Sequence, residues 1–416
     1  MVSARGGISS SLMSTRVTVV GIGADGWSGL SETARELVDG APVVLGGQRH
    51  LAMLPDVPDQ IREAWPSPLR DELPALLAKF DGHDVVALAS GDPLVSGIAT
   101  TLVELLGRDA VTVVPTLSSV ALARARMRWS AESTEVVTLV GRDPHLVARS
   151  LAPGLRLLVL SSDGSTPAEV AALLTAAGYG ASPMTVLSDL GSDDETRVDG
   201  VAASWRDQTS PDLNVIAVEL VSSGARPLGF VAGLPDDAFE HDGQITKRDV
   251  RASALARLAP VPGQLLWDVG AGAGSVGIEW LRAHPTCRAI AVEAREERAA
   301  RVARNASTLG VPALDVVTGH APAALEGLEA PHAIFIGGGA TEDGLLDACW
   351  DALLPGGRLV VHGVTLETES LLAHRYAALG GELTRLHVEH AAPIGSFTGW
   401  TPSRAIMQWT VTKATA

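Results

Sequence analysis

The chain has 416 residues, 46% of them hydrophobic, enough for two cores rather than one. Its formal net charge is −16 and both halves are acidic, which argues against a nucleic-acid binder. The two cysteines, Cys287 and Cys349, exclude a disulfide framework and a cysteine-rich metal site, so no bound metal is expected.

Residues 1–15, rich in Ser, Gly and Ala, are expected to form a disordered tail. No secretory signal is recognisable, and no apolar run reaches the ~18–20 residues of a membrane span. A cytoplasmic protein without membrane or nucleic-acid partners is the expectation.

The first region, 16–221, opens with a β run, VTVVGIG (17–23), followed by a helix from about Ser31. PVVLGG (42–47), DVVALASGDP (84–93) and VTVVP (111–115) follow, then a helix rich in alanine and arginine after Ser118. EVVTLVGR (135–142), RLLVLSS (156–162), PMTVLSDL (183–190) and LNVIAVELV (213–221) complete the strands. Short β runs alternating with helical windows predict an α/β domain. Gly, Pro and Ser then concentrate without periodicity, which places a linker at 222–235.

A second α/β domain is expected over 236–416. It starts with a helix at about Thr246–Leu258. Five β runs follow: QLLWDVG (264–270), RAIAVEA (288–294), LDVVTG (314–319), HAIFIGGG (332–339) and GRLVVHG (357–363). ELTRLHVEH (382–390) and RAIMQWTVT (404–412) close the region as an antiparallel pair.

The most informative local pattern is DVGAGAGS (268–275), between an apolar run and a helix. Gly270, Gly272 and Gly274, alternating with Ala271 and Ala273, permit a tight turn and close backbone approach by a ligand. The following helix start offers free N–H groups. Gly272, Gly274 and Gly277 also match a dinucleotide fingerprint, so the glycines alone leave two readings open. Three features favour S-adenosylmethionine (SAM). Asp268 precedes the turn and is suited to meet an ammonium directly or through water. Glu293 ends the next strand, where a carboxylate can accept both ribose hydroxyls. GHAP (319–322) occupies the usual place of adenine contacts. IFIGGG (334–339) offers backbone room but no side-chain acceptor for an amine, which points to a carbon acceptor on a large ligand.

The segments GLPDDAFEHDGQITKRDVR (233–251), LLWDVGAGAGSVGIEW (265–280), FIGGG (335–339) and GGRLVVHGVTLETE (356–369) resemble the decarboxylating precorrin methyltransferases of cobalamin synthesis. The resemblance covers 229–412. It implies a Rossmann-like class I SAM-dependent methyltransferase fold and a cofactor site at Thr246, Gly270–Gly274, Glu293 and Ala321. A precorrin carries many carboxylates and needs local cations, for which Lys247, Arg248, Arg251 and Arg404 are candidates; the alternative for the first three is a solvated helix face. No catalytic triad is recognisable; Lys247, Arg251 and Asp25 are the candidate catalytic groups.

In the first region, VVGIGADGWSGLS (19–31), LGGQRHL (45–51), LASGDPLVSGI (88–98), VPTLSSVALA (114–123) and LVGRD (139–143) together resemble the tetrapyrrole methylases, with their class III fold. The resemblance places a second SAM site at Gly21, Gly23, Gly91, Asp92, Pro93, Ser118 and Ser119. Asp92 reads equally as a turn former and Ser118 as a helix cap. Asp25, at the mouth of the first turn, is a candidate to orient or deprotonate the tetrapyrrole, or a plain loop residue. Arg49, His50, Arg124, Arg126 and Arg128 are candidates to meet substrate carboxylates, or surface residues serving solubility. The two resemblances together imply methylation of a reduced precorrin-6 at C-5 by the first domain. The second would methylate C-15 and decarboxylate the C-12 acetate, giving precorrin-8X. A homo-oligomer is expected.

Overall fold

The structure is a computed structural model that describes residues 15–205 and 208–415. Of the tail expected over 1–15, only Thr15 lies among the described residues; it is buried and its hydroxyl donates to the Phe80 carbonyl at 3.4 Å. The described residues form two compact units, one running through Pro144 and resuming over Pro153–Ala225, the other made of His145–Ala152 and the chain from Arg226 onward.

The first unit holds two sheets. In the first, β1 (Arg16–Ile22), β2 (Val43–Gly46), β3 (Ile61–Ala64), β4 (Asp84–Ser90) and β5 (Val111–Val114) lie in the order β3-β2-β4-β1-β5. Every pairing is parallel. The central strands read as continuous apolar runs because helices cover both faces, and β1, β2 and β4 are buried almost end to end. The helix Glu32–Asp39 starts where expected, with Ser31 Oγ accepting from Ala34 N–H. The second sheet is mixed. β6 (Thr134–Thr138), β7 (Arg156–Leu160), β8 (Pro183–Ser188), β9 (Thr196–Val201) and β10 (Asn214–Glu219) lie in the order β6-β7-β10-β8-β9.

The second unit is built on β11 (Leu265–Val269), β12 (Arg288–Glu293), β13 (Asp315–Thr318), β14 (Ala333–Ile336), β15 (Arg358–Gly363), β16 (Glu382–Leu386), β17 (Glu389–Ile394), β18 (Phe397–Pro402) and β19 (Ile406–Thr412). Seven of these form one sheet in the order β13-β12-β11-β14-β15-β19-β16, while β17 and β18 make a separate hairpin. β11 to β15 pair in parallel, and β19 runs antiparallel between β15 and β16. This is the class I methyltransferase pattern implied by the resemblance. One apolar cluster fills each face: Leu266, Trp280, Val302 and Phe335 on one side, Trp267, Ile334, Leu372 and Trp409 on the other.

Two details differ from the sequence reading. The run 382–390 is split between β16 and β17, because the chain leaves the sheet at 387–388 to form the hairpin. The helix expected from Thr246 begins at Arg248, with Lys247 as its extended N-cap. No described helix is long and apolar enough to cross a membrane.

Candidate functional site

Each unit carries a cavity at the C-terminal ends of its parallel strands. In the second unit, a cavity of ≈ 460 Å³ is lined by Gly270, Ala271 and Gly272 of the turn after β11 and by Glu293 at the end of β12. His320 and Ala321 after β13, and Gly337–Gly339 after β14, complete that edge. Thr246 and Lys247 close it from the segment before the helix Arg248–Leu258.

The turn requires its glycines. Gly270, Gly272 and Gly274 have φ of +70°, +60° and +74°. A Cβ on Gly272 would lie 2.8 Å from the Gln244 carbonyl oxygen, and one on Gly274 2.6 Å from Val302 Cγ1. Glu293 is buried and fixes the turn. Its Oε2 accepts from Gly272 N–H at 2.9 Å and its Oε1 from Arg295 N–H at 3.1 Å. Each oxygen keeps a lone pair for a ligand hydroxyl.

Asp268 does something other than expected. It does not line the cavity; it is 1% exposed and its Oδ2 accepts from Gly277 N–H at 2.8 Å, holding the start of the helix Ser275–Ala283 under the turn. Burial pushes its carboxyl up to about 7, the Glu293 charge adds to that, and the Gly277 hydrogen bond opposes it. Ala273 and Gly274 likewise shape the turn without reaching the cavity, and the Ala273 carbonyl accepts from Asn305 Nδ2 at 2.9 Å.

Arg251 is corrected as well. Its side chain is fully buried, with Nε donating to Glu279 Oε1 at 2.6 Å and Nη1 to Asp236 Oδ1 at 3.1 Å. It also donates to the Leu234 and Thr246 carbonyls and stacks on Phe239 at 4.9 Å. Fully buried, with four of its five N–H donors paired inside the fold, it does not line the cavity; its bond to the Thr246 carbonyl positions that residue at the wall.

Asn305 and the arginines around it escaped the sequence reading. Asn305 joins the segment before Thr246 to the turn. Its Oδ1 accepts from Glu240 N–H at 2.8 Å, and its Nδ2 donates to the Glu240 carbonyl at 2.9 Å as well as to Ala273. Arg298, Arg301 and Arg304 of the same helix pair with Asp242 and Glu240. Arg298, with the Gln244 N–H and Arg301 adding to it, holds the Asp242 carboxyl far below the usual range. The i, i+3 spacing of the three arginines was the available signal. His362, on β15, lines the cavity edge-on to Phe335, with ring centroids 4.9 Å apart. Its Nε2 meets Gln408 Oε1 at 2.9 Å. Burial pushes its imidazole down to about 4, Arg257 adds to the effect and Gln408 opposes it, so the ring is neutral at pH 7.

In the first unit, a cavity of ≈ 380 Å³ is lined by Gly23 and Ala24 after β1, Gly91 and Asp92 after β4, and Ser118 and Ser119 after β5. Gly21 and Pro93 do not line it. A Cβ on Gly21 would lie 2.1 Å from the Gly91 carbonyl oxygen and 2.8 Å from Thr116 N, so this glycine lets the three loops pack. Asp92 Oδ1 accepts from Leu94 N–H at 2.9 Å and Ser118 Oγ from Ala121 N–H at 3.2 Å, so both carry turn and cap roles while lining the wall. Asp25 is exposed and off the cavity, with its carboxylate beside Gly23 and Gly29. That removes it as a group acting on a ligand there. Arg124, Arg126 and Arg128 also lie off the cavity; Arg126 pairs with Glu195 at 2.5 Å.

Arg49 and His50 do line the first cavity. Arg49 Nη2 donates to His50 Nε2 at 2.8 Å and to Ser90 Oγ at 3.3 Å. Accepting from a guanidinium makes Nε2 the unprotonated nitrogen; the buried Nδ1 has no partner among the described residues. Burial, with the Arg49 charge adding, pushes His50 down to about 4. Among the described residues no group of His, Cys, Asp and Glu could hold a metal ion.

Comparison with known proteins fits this architecture. Residues 16–204 match the family described as Tetrapyrrole (Corrin/Porphyrin) Methylases, and residues 237–413 match the Precorrin methyltransferase domain family. Precorrin-6Y C(5,15)-methyltransferase [decarboxylating] of Sinorhizobium sp is 46% identical over 97% of both chains. The protein of that name from Mycobacterium tuberculosis is 47% identical over 95% of this chain and all of its own length. Cobalt-precorrin-6B C(15)-methyltransferase (decarboxylating) of Salmonella typhimurium is 31% identical over 39% of this chain and 85% of its own. At that identity over nearly its whole length, the chain belongs to the family of decarboxylating precorrin-6Y C(5,15)-methyltransferases.

Proposed function

We propose that the chain methylates a precorrin twice, with the first unit acting at C-5 and the second at C-15 with loss of the C-12 acetate carboxyl as carbon dioxide. The observation that carries this reading is the pair of cavities, one per unit, for a reaction that needs two methyl donors. The relative named for C(15) methylation and decarboxylation alone matches only 39% of the chain, which supports giving those two steps to one unit.

The residues of both cavities fit S-adenosylmethionine. In the second unit, Glu293 offers the ribose hydroxyls one lone pair on each oxygen, and the glycine turn brings its backbone to the cavity wall. In the first, Gly91 has φ +54° and, with Ser90 and Asp92, lines the cavity, so the SGDP turn is placed to wrap a bent ligand. The cofactor supplies an electrophilic methyl on a sulfonium, strong enough to need no activation by the protein. The chain's own part is to bind and align the reactants and exclude water. Gly337–Gly339 present backbone rather than a side-chain amine acceptor, as a carbon nucleophile requires. Neutral His362 places no cation beside the cofactor cavity wall. In the decarboxylation, the electrons of the breaking C–C bond pass into the conjugated ring as carbon dioxide leaves, and a proton replaces it.

The test is product mass spectrometry of the intact chain and of Gly272→Arg, in which the added side chain collides with the Gln244 carbonyl and disrupts the turn that lines the second cavity. The variant is expected to retain one methylation and release no carbon dioxide. Loss of both methylations in a folded variant would refute the division of labour.

A further inference from the structure

Most arginines of the second unit are engaged within the fold. Arg226, Arg251, Arg257, Arg288, Arg298, Arg301, Arg304, Arg375 and Arg385 each pair with a carboxylate, and Arg282 and Arg358 donate to backbone carbonyls. From Arg226 onward, and among the described residues, only Arg248, Arg295 and Arg404 have no such side-chain partner. Two of these three, Arg248 and Arg404, line one cavity of ≈ 800 Å³.

That cavity is walled by the stretch from Pro235 to Val250 and by the base of the hairpin, where Ser403 N–H donates to the Val388 carbonyl at 2.9 Å and sets Arg404 in place. Its apolar lining comes from Val250, Leu386, Val388 and Ile406, and His390 and the cations contribute polar lining. Asp236 lines it too, but is paired with Arg251 at 3.1 Å and Lys247 at 3.7 Å. Asp249 is the remaining carboxylate there. Lys247 and Ile406 also line the cofactor cavity, so the two cavities share a wall.

An apolar lining that also carries two arginines without side-chain partners matches a flat apolar macrocycle fringed with carboxylates. We propose that this cavity seats the tetrapyrrole, and that Arg248 and Arg404 clamp the carboxylates that the reaction keeps. The inference rests on the proposed function of the second unit. A guanidinium on the departing carboxylate would stabilise it in the ground state and lose that pairing as carbon dioxide forms, which slows the step. The cations therefore serve substrate binding, and the departing group lies away from both guanidinium groups.

The test uses the full chain, with carbon dioxide release at varied precorrin and calorimetric titration with SAM. In Arg248→Gln and Arg404→Gln, KM for the precorrin is expected to rise about tenfold each, as for loss of a charge-assisted contact. The fall in kcat should be smaller than that rise, and SAM affinity should hold. Arg375→Gln, which removes one positive charge outside the cavity, controls for bulk charge and should leave KM unchanged. An unchanged KM in both clamp variants, a fall in kcat alone, or an equal loss of SAM affinity would each overturn the clamp. If the wild-type chain releases no carbon dioxide, the functional reading falls instead. Titration with a porphyrin octacarboxylate then decides the clamp by itself: weaker binding in the two variants supports it, and equal binding refutes it.

Discussion

Asp268 shows how one buried group sets a pH dependence that its position in the motif did not suggest. Its carboxyl is raised from an ordinary value of 3.8 to about 7 by burial. Between those values the unfolded chain has released this proton while the folded chain holds it, so folding binds the extra proton. Stability from this group is therefore highest at low pH, declines as pH rises from about 4 to about 7, and levels off above. Asp268→Asn can keep an acceptor for Gly277 N–H without the ionisable proton. Its stability relative to wild type is expected to grow by a few kcal/mol between pH 5 and pH 8, at roughly 1.4 kcal/mol for each pH unit below the folded-state value. Chemical denaturation of the second unit's transition at the two pH values measures it. A constant difference would mean that Asp268 is ionised in the fold. The neighbouring case of Arg251 was partly legible: Val250, Ala254, Leu255 and Leu258 mark the inward face of their helix, and Arg251 falls on it. Its partner Glu279 lies 28 residues away, which local spacing does not reveal.

At the scale of elements, the cofactor cavity depends on a segment that has no regular structure of its own. The stretch from Glu240 to Thr246 is held by Asn305, by the arginines of the helix Glu296–Thr308, and by Arg251 from below. Asn305→Ala would leave Glu240 N–H, the Glu240 carbonyl and the Ala273 carbonyl without this partner. A loss of about 1–3 kcal/mol is expected, together with weaker SAM binding, because wall and turn separate. Thermal unfolding and calorimetry on one sample read both, and lower stability with intact SAM affinity would contradict the coupling. The buried parallel strands were legible because each is a continuous apolar run. β3 and β9 were not, because both are edge strands with charged residues and little burial, so neither alternation nor an apolar run marks them. The hairpin of β17 and β18 was hidden for the opposite reason. It stands apart from the main sheet and leaves Phe397 and Trp400 79% and 70% exposed, so apolarity there does not report burial.

For the whole molecule, the decisive quantity is the number of cofactors bound. Two cavities built on unrelated sheets are expected to take up two SAM molecules per chain, and Glu293→Gln should weaken only one of them, by about tenfold. Calorimetry giving a single site in the wild-type chain would refute the two-site reading. The glycine turns singled out in the sequence reach both cavities through Gly23, Gly91, Gly270 and Gly272, whereas Gly21, Pro93, Ala273 and Gly274 do not line them. Motifs mark where backbone must be permissive; they do not tell whether a ligand or another loop fills the space.

Lys247 and Ile406 belong to the walls of two neighbouring cavities at once. With cofactor in one and tetrapyrrole in the other, each ligand alters the surface the other meets. Thermodynamic reciprocity then fixes the traffic: whatever factor bound tetrapyrrole applies to cofactor affinity, bound cofactor applies to tetrapyrrole affinity. A methyl donor that has spent its positive charge no longer presents the same electrostatic face to Lys247. On the proposed seating, the shared wall would let the pair of ligands register turnover without any motion of the sheet beneath them.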